Sequence, residues 1–161
     1  MNAIFAAGER EQLEAMLDDQ RAELLAALDG ISEADGRARL VPSATTVLGL
    51  VKHATFVETV WFPHRLGGRS RAELGISEDI DDSFVLDPSD TVASVRAGYE
   101  AAIAVSREVA ARHRLDETFE SRHGWTNLRW IHLHMIAELA RHAGHADIVV
   151  EQLHAGVPEA T

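Results

Sequence analysis

Four side chains that can bind a metal ion follow one another at helical spacing near the C-terminal end of the chain: His134, Glu138, His142 and His145. At about 100° of turn per residue, these positions fall within an arc of roughly 80° on one helix. Ile131 and Val149 lie in the same arc, which indicates that this face points towards the core.

Burying three imidazoles and a carboxylate on an apolar face is unfavourable unless the groups are paired or bind a cation. One interpretation is a hydrogen-bonded polar layer in which Arg141 neutralises Glu138. The other interpretation is a metal site. It is favoured because four metal-binding side chains follow one another at helical spacing. Two ligands spaced i and i+4 can reach one ion, and a third must come from a facing helix. His53, which shares an apolar face with Leu50 and Val57, is the leading third ligand.

The absence of cysteine excludes a thiolate metal site, a disulfide scaffold and a cysteine nucleophile. Nitrogen and oxygen donors suit zinc, nickel, iron or manganese, with zinc or nickel favoured here. The His-Glu-x-x-His protease signature is absent. His132 and His154 fall opposite the metal-binding face and are expected to be exposed. His64, beyond Pro63, is expected to be a surface or helix-end residue, and no role is assigned to His113 and His123.

The charge and the distribution of apolar residues indicate which partners and which compartment to expect. A formal net charge of −11, from 26 acidic and 15 basic residues, repels phosphate backbones, so no nucleic-acid partner is expected. No run of about 18 apolar residues occurs, so no membrane partner is expected either. The apolar stretch before Glu9 is too short for a signal peptide, which predicts a cytoplasmic protein.

Hydrophobic periodicity predicts four long helices and no confident strand. The predicted helices run from Glu9 to Leu28, from Ala44 to Phe62, from a cap at Ser89 or Asp90 to about Arg112, and from a cap at Asn127 to about Leu153, before Gly156 and Pro158. Met16 is expected in the buried stripe of the first helix. Gly144 inside the last helix costs roughly 1 kcal/mol relative to alanine, which predicts a close neighbour there.

The connections between these helices complete the fold prediction. The acidic segment 70–88 is expected to be a long crossover loop with a helical turn at 71–74, and 115–126 to be a second loop. The fold class is therefore all-α, an up-down four-helix bundle with long crossover loops. Residues 1–161 are expected to form a single domain.

Two segments of the sequence resemble a known family. Residues 128–147 (LRWIHLHMIAELARHAGHAD) and 52–62 (KHATFVETVWF) resemble the DinB superfamily, in particular its DUF664 branch of YfiT-like metalloenzymes. The resemblance implies a DinB-type four-helix bundle, a homodimer, and a divalent metal held by one side chain of the second helix and two of the last. By that pattern His53 is the first ligand. Glu138 and His142 match the Glu-x-x-x-His form of the mycothiol-dependent maleylpyruvate isomerase branch.

Some features of the resemblance leave alternatives open. His145 stands where many relatives have glutamine, so it is a candidate fourth ligand or a group that supports a ligand. The set His53, His142 and His145 is therefore an alternative to the set with Glu138. Both sets leave coordination positions for water or substrate, as a catalytic metal requires.

The resemblance implies a thiol-dependent S-transferase or isomerase. Its partners would be a low-molecular-weight thiol, such as mycothiol or bacillithiol, and an electrophilic substrate, with the metal lowering the pKa of the thiol. His145 or His134 would orient a ligand or move a proton, and no catalytic residue is singled out. A non-catalytic stress-response or sensor protein that binds the metal, and a bundle without metal, are the alternative hypotheses.

Overall fold

The computed structural model describes residues 3–121 and 124–155, most of which are helical. His123 and the predicted stop at Gly156 and Pro158 lie outside the described residues. The elements follow in this order: a 3-10 turn (Ala3–Ala6), α1 (Glu9–Ala26), α2 (Glu33–Gly36), α3 (Val47–Thr59), a π-helical segment (Val60–Leu66), α4 (Arg71–Leu74), a second 3-10 turn (Asp81–Phe84), α5 (Val92–Ala110), β1 (Thr118–Ser121), β2 (Gly124–Asn127) and α6 (Leu128–Ala155).

The long helices bury their apolar faces against one another. Helix α1 packs along α6, while α3 packs against both α5 and α6. The largest side chains of the shared core include Leu17, Tyr99, Met135 and Leu139, each at most 1% exposed. Within residues 3–121 and 124–155, no helix is long and apolar enough to cross a membrane.

The buried stripe of α1 contains a charged residue. Leu13, Leu17 and Leu24 are buried as predicted, and Arg21 occupies the same face. Met16 was predicted to belong to this stripe, but it is 53% exposed. It precedes Leu17 by one residue and is therefore turned by about 100° away from the core.

Capping side chains set where the helices begin. Helix α3 begins at Val47 rather than Ala44 because the Thr46 hydroxyl, not that of Ser43, caps it by accepting from the backbone N–H of Gly49. Helix α5 likewise begins after Thr91 rather than after the residues predicted as its cap. Helices α1 and α5 each end two residues before their predicted ends, whereas the helical turn at 71–74 is confirmed.

Helix α3 continues beyond its predicted end. Pro63 was expected to stop it near Phe62, but the chain passes through Pro63 in a π-helical segment that ends at Leu66. Proline has no N–H and its ring crowds the carbonyl of the preceding turn, which breaks an α-helix. The wider π turn uses i→i+5 hydrogen bonds, such as that from Gly67 N to the carbonyl of Phe62 at 2.7 Å, and so accommodates the ring.

The second predicted loop forms a β-hairpin. Strands β1 and β2 pair antiparallel, with Phe119 opposite Thr126 and Glu120 opposite Trp125. The prediction of no strand was wrong here because four-residue strands are too short to show a clear alternation. Strand β2 leads directly into α6, and Asn127 caps that helix as predicted, accepting from the backbone N–H of Trp130 at 2.9 Å.

Two expectations for α6 were wrong. His132 was predicted to be exposed, but it is 1% exposed, because α1 covers the side of α6 opposite to α3. Its Nδ1 lies 3.0 Å from the carbonyl of Leu128, which satisfies one ring nitrogen. Gly144 was predicted to have a close neighbour, but it is exposed and nothing lies within 4 Å of a Cβ built on it.

A buried ion pair joins α1 to α3. Glu58 is 0% exposed, and both of its carboxylate oxygens accept from the guanidinium of Arg21, each at 2.8 Å. Burial acts to lower the pKa of Arg21, but the hydrogen bonds and charges of Glu58 and Asp18 outweigh burial and raise it. The bidentate geometry fixes the rotation of the two helices relative to each other.

Replacing Glu58 with glutamine should destabilise the fold by about 3–5 kcal/mol, because the buried Arg21 then loses its bidentate partner and keeps only the part-exposed Asp18. The free energy of unfolding from urea titration measures this loss. The double variant Arg21→Met, Glu58→Leu should regain most of it, since a matched apolar pair removes both buried charges. Asp116→Asn, which removes an exposed ion pair with Arg114, is the control and should leave the midpoint unchanged. An equally small effect of Glu58→Gln would contradict this interpretation.

Candidate metal centre

Three side chains with metal-binding atoms converge between α3 and α6. Nε2 of His142 lies 3.1 Å from Oε1 of Glu138, and Nε2 of His53 lies 3.8 Å from the same oxygen. One potential ligand atom from each residue lies within 4.8 Å of the other two. His53 and His142 are buried and Glu138 is partly buried, so the cluster lies just beneath the surface.

Local helix geometry brings these side chains together. Glu138 and His142 are four residues apart, so α6 places them one turn apart on one face. His53 lies on α3 among the buried residues Leu50, Val57 and Val60, and α3 packs against α6. Two donors are thus fixed by the spacing within one helix, and the third depends on the packing of two helices.

The second 3-10 turn, Asp81–Phe84, supports His53 from the side opposite Glu138. Oγ of Ser83 lies 2.7 Å from Nδ1 of His53, and the ring of Phe84 stacks on the imidazole with centroids 4.0 Å apart and an angle of 11°. Sequence reasoning missed both residues. They lie in an acidic connection about 30 positions from His53, and no periodicity links them to it.

Burial controls the charge of the cluster. Burial is the main cause that lowers the pKa of His53 to about 4, and the nearby His142 adds to the effect. Burial also lowers the pKa of His142, although Glu138 opposes this. For Glu138, burial acts to raise the pKa, but the hydrogen bond with His142 and the charge of Arg141, 3.2 Å away, outweigh burial. At neutral pH the cluster therefore consists of two neutral imidazoles and a carboxylate.

These residues fit a divalent metal ion. Ligand atoms about 2.0–2.2 Å from a tetrahedral ion lie roughly 3.3–3.6 Å from one another, close to the two observed separations from Glu138. Neutral imidazoles and a carboxylate form a nitrogen and oxygen donor set that first-row transition metals accept. Nδ1 of His142 is buried without a hydrogen-bond partner among the described residues. The cluster is thus a set of converging donors whose hydrogen bonds are incomplete.

The other predicted histidines lie apart from this cluster. His145 is exposed, its ring centroid is 6.0 Å from that of His142, and the structure does not bring it into the cluster. His134 is partly buried and stacks on Trp130, with centroids 5.0 Å apart, while Trp61 covers it at 4.6 Å. The assignment of individual residues as metal ligands stays a prediction.

A family model described as mycothiol-S-transferase matches residues 12–155. The chain belongs to the mycothiol-S-transferase family. The match runs from α1 to the end of α6 and includes the three residues of the cluster. It confirms the resemblance to the DinB superfamily and its DUF664 branch. No curated protein sequence matches the chain.

Members of the mycothiol-S-transferase family are thiol-related transferases, so membership implies a small-molecule thiol as a substrate. A cleft of about 660 Å³ borders the cluster, with Glu138 and His134 in its wall. The lining also has an apolar part that includes Val60 and Trp61 of the π-helical segment. The volume falls in the range of roughly 300–1,000 Å³ that small-molecule sites have.

The lining of the cleft also contains charged groups. Arg71 lies there, with its Nε 3.3 Å from Glu78 and its guanidinium 5.6 Å from the ring of Phe56. Arg65 lies over Trp61 with its guanidinium carbon 4.4 Å from the ring centroid. A ligand in this cleft would therefore be in reach of Glu138 and of two guanidinium groups.

The metal-free protein should lose stability as the pH falls from 6.5 towards 4. The pKa of His53 is about 4 in the folded state, against an ordinary value of 6.5. As the pH falls, the unfolded state therefore binds the proton before the folded state does. Protonation of His53 in the unfolded state therefore lowers the free energy of unfolding by about 3 kcal/mol at pH 4, and it has little effect well above pH 6.5. Urea unfolding with a chelator present measures it at several pH values.

His53→Gln should remove this part of the pH dependence, because glutamine does not titrate. The exposed His154 provides the matched control, and His154→Gln should keep the wild-type profile. If His53→Gln and wild type lose stability in parallel, His53 is not the buried neutral group described above.

Proposed function

We propose that this protein is a divalent-metal-dependent thiol S-transferase, or a related isomerase, with zinc or nickel bound by His53, Glu138 and His142. The observation that carries the proposal is the convergence of two neutral buried imidazoles and a carboxylate beside a cleft of about 660 Å³. Family membership supports the thiol as one substrate, and we propose an electrophilic compound as the other.

The proposed scaffold is an up-down four-helix bundle made by α1, α3, α5 and α6 within one domain, residues 1–161. The packing of α1 along α6 and of α3 against α5 and α6 supports this arrangement. In such bundles, metal sites are built from side chains that face one another across the core. The positions of His53 on α3 and of the other two donors on α6 agree with that rule.

His53, Glu138 and His142 would hold a divalent ion, which would supply Lewis-acid chemistry by lowering the pKa of a thiol so that the thiolate is favoured at neutral pH. The residues of the chain provide the surroundings. Glu138 contributes one negative charge and borders the cleft. Val57, Val60 and Trp61 give the cleft an apolar wall, and a less polar environment strengthens electrostatic interactions next to the donors.

His134 is the proposed proton-accepting group. It lines the same cleft one turn before Glu138, and its ring is held in place by stacking on Trp130 and by the tilted ring of Trp61. Burial lowers the pKa of His134, so the imidazole is neutral at pH 7 and free to accept a proton from an incoming thiol. His145, the other candidate for this role, is exposed and outside the cleft lining.

Protein purified without a histidine tag and incubated with zinc or nickel should retain about one equivalent of metal, measured by mass spectrometry of the elements. His53→Ala and His142→Ala should each lose it, because two remaining donors bind weakly. His145→Ala separates the two ligand sets proposed from the sequence and should retain the metal. Loss of metal in His145→Ala with retention in Glu138→Ala would instead support the set with His145.

The metal-loaded protein should join a low-molecular-weight thiol to an electrophile, with the thioether product measured by mass spectrometry. Mycothiol, bacillithiol, glutathione and cysteine form the thiol panel, and monobromobimane is a general electrophile. Removing the metal should slow the reaction by at least about 10³-fold, since a Lewis acid contributes several kcal/mol. His134→Gln should lower kcat/KM by about 10²-fold with metal content unchanged, whereas His145→Gln should not.

The outcome also decides between an enzyme and a binding protein. Tight metal binding without turnover on any thiol, and without an exchangeable water on the metal, would favour the sensor or stress-response alternative. Absence of metal binding in the wild type would exclude both hypotheses.

A further inference from the structure

Ser83 contacts the ring nitrogen of His53 that faces away from Glu138. Its side chain is buried, at 7% exposed, and its Oγ lies 2.7 Å from Nδ1 of His53. The same Oγ lies 2.5 Å from the carbonyl oxygen of Ile80, which also accepts the backbone N–H of Ser83 at 3.1 Å. The hydroxyl therefore lies between a carbonyl oxygen and an imidazole nitrogen.

These two contacts determine the direction of the hydrogen bonds. A serine hydroxyl has a single proton to donate. Two oxygens 2.5 Å apart repel each other unless a proton lies between them, so Ser83 donates its proton to the carbonyl of Ile80. Oγ of Ser83 must then accept from His53, which requires the proton of the imidazole to be on Nδ1.

The opposite side of the ring agrees with this assignment. With the proton on Nδ1, Nε2 of a neutral imidazole carries a lone pair and no hydrogen. Nε2 lies 3.8 Å from Oε1 of Glu138, too far for a hydrogen bond. His142, by contrast, approaches the same oxygen to 3.1 Å. A lone pair and a carboxylate oxygen thus face each other across a gap of the kind that a cation fills.

Phe84 fixes the plane of the same ring. Its side chain stacks almost parallel to the imidazole of His53, with centroids 4.0 Å apart. Consecutive residues of the 3-10 turn Asp81–Phe84 therefore hold the ring by one edge and one face. Rotation of the imidazole about its Cβ–Cγ bond would break the hydrogen bond and disturb the stacking at the same time.

We propose that Ser83 is a positioning residue that holds His53 in the tautomer with the proton on Nδ1 and so directs the lone pair of Nε2 at the metal position. The consequence for metal binding rests on the proposed function, whereas the tautomer does not. Without the hydroxyl, Nδ1 loses its acceptor, and the proton can move to Nε2, where the negative charge of Glu138 attracts it. Metal binding must then displace that proton, which lowers the affinity.

The first test measures the tautomer in the full-length, metal-free protein at neutral pH. Long-range ¹H–¹⁵N NMR of ¹⁵N-histidine-labelled protein distinguishes a protonated from an unprotonated ring nitrogen, and His53→Gln identifies the signals. In the wild type, Nδ1 of His53 should be protonated and Nε2 should not. A protonated Nε2 in the wild type overturns the proposal, whatever the variants do.

The variants test the role of the hydroxyl. Ser83→Ala should shift His53 towards the tautomer with the proton on Nε2 and weaken zinc binding by about 10- to 100-fold, measured by competition with a chromophoric chelator. Ser83→Thr retains a hydroxyl and should restore both readouts to near the wild-type values. Ser89→Ala, at an exposed position in the same connection, is the matched control and should change neither.

The outcomes separate this proposal from the proposed function. Unchanged zinc affinity and an unchanged His53 tautomer in Ser83→Ala would overturn the role of Ser83 while leaving the metal site intact. If the wild-type protein binds no zinc but shows the predicted tautomer, and Ser83→Ala loses that tautomer, the proposed metal site is wrong. The role of Ser83 in positioning the ring is then still supported.

Discussion

The orientation of α3 depends on the need to pair a fully buried carboxylate. Glu58 has no access to water, and an unpaired charge in the interior costs several kcal/mol, so its two hydrogen bonds to Arg21 determine which side of α3 faces α1. His53 precedes Glu58 by five residues, which is about 140° around the helix. Fixing Glu58 towards α1 therefore turns His53 towards α6 and its two donors.

The candidate metal centre differs from this ion pair in how its polar groups are satisfied. Arg21 and Glu58 meet each other's hydrogen-bonding needs directly. In the cluster of His53, Glu138 and His142, Nδ1 of His142 is buried without a hydrogen-bond partner among the described residues. Nε2 of His53 lies 3.8 Å from Oε1 of Glu138, which is too far for a hydrogen bond. A fold tolerates such incompletely paired groups where they serve binding or chemistry. The first arrangement stabilises the fold, and the second leaves donors available to a ligand.

Much of the site could be predicted from the sequence because its geometry is local. The four-residue spacing of Glu138 and His142 determines their common face, and an isolated histidine on the apolar stripe of α3 indicates the facing donor. The burial of His132 could not be predicted this way, since it depends on α1 covering the second side of α6. Ser83 escaped prediction because its role arises from the path of an irregular connection, which periodicity does not describe.

The connection between α4 and α5 serves two purposes with very few residues. Asp79 and Ile80 belong to the wall of the cleft, while Ser83 and Phe84 hold the imidazole of His53. A substitution that reshapes the wall from this side also moves the turn that supports the ring. Substitutions in this connection that change the substrate preference are therefore expected to weaken metal binding as well. Residues on α3 and its π-helical extension offer a route to engineering the cleft that leaves the support of His53 untouched.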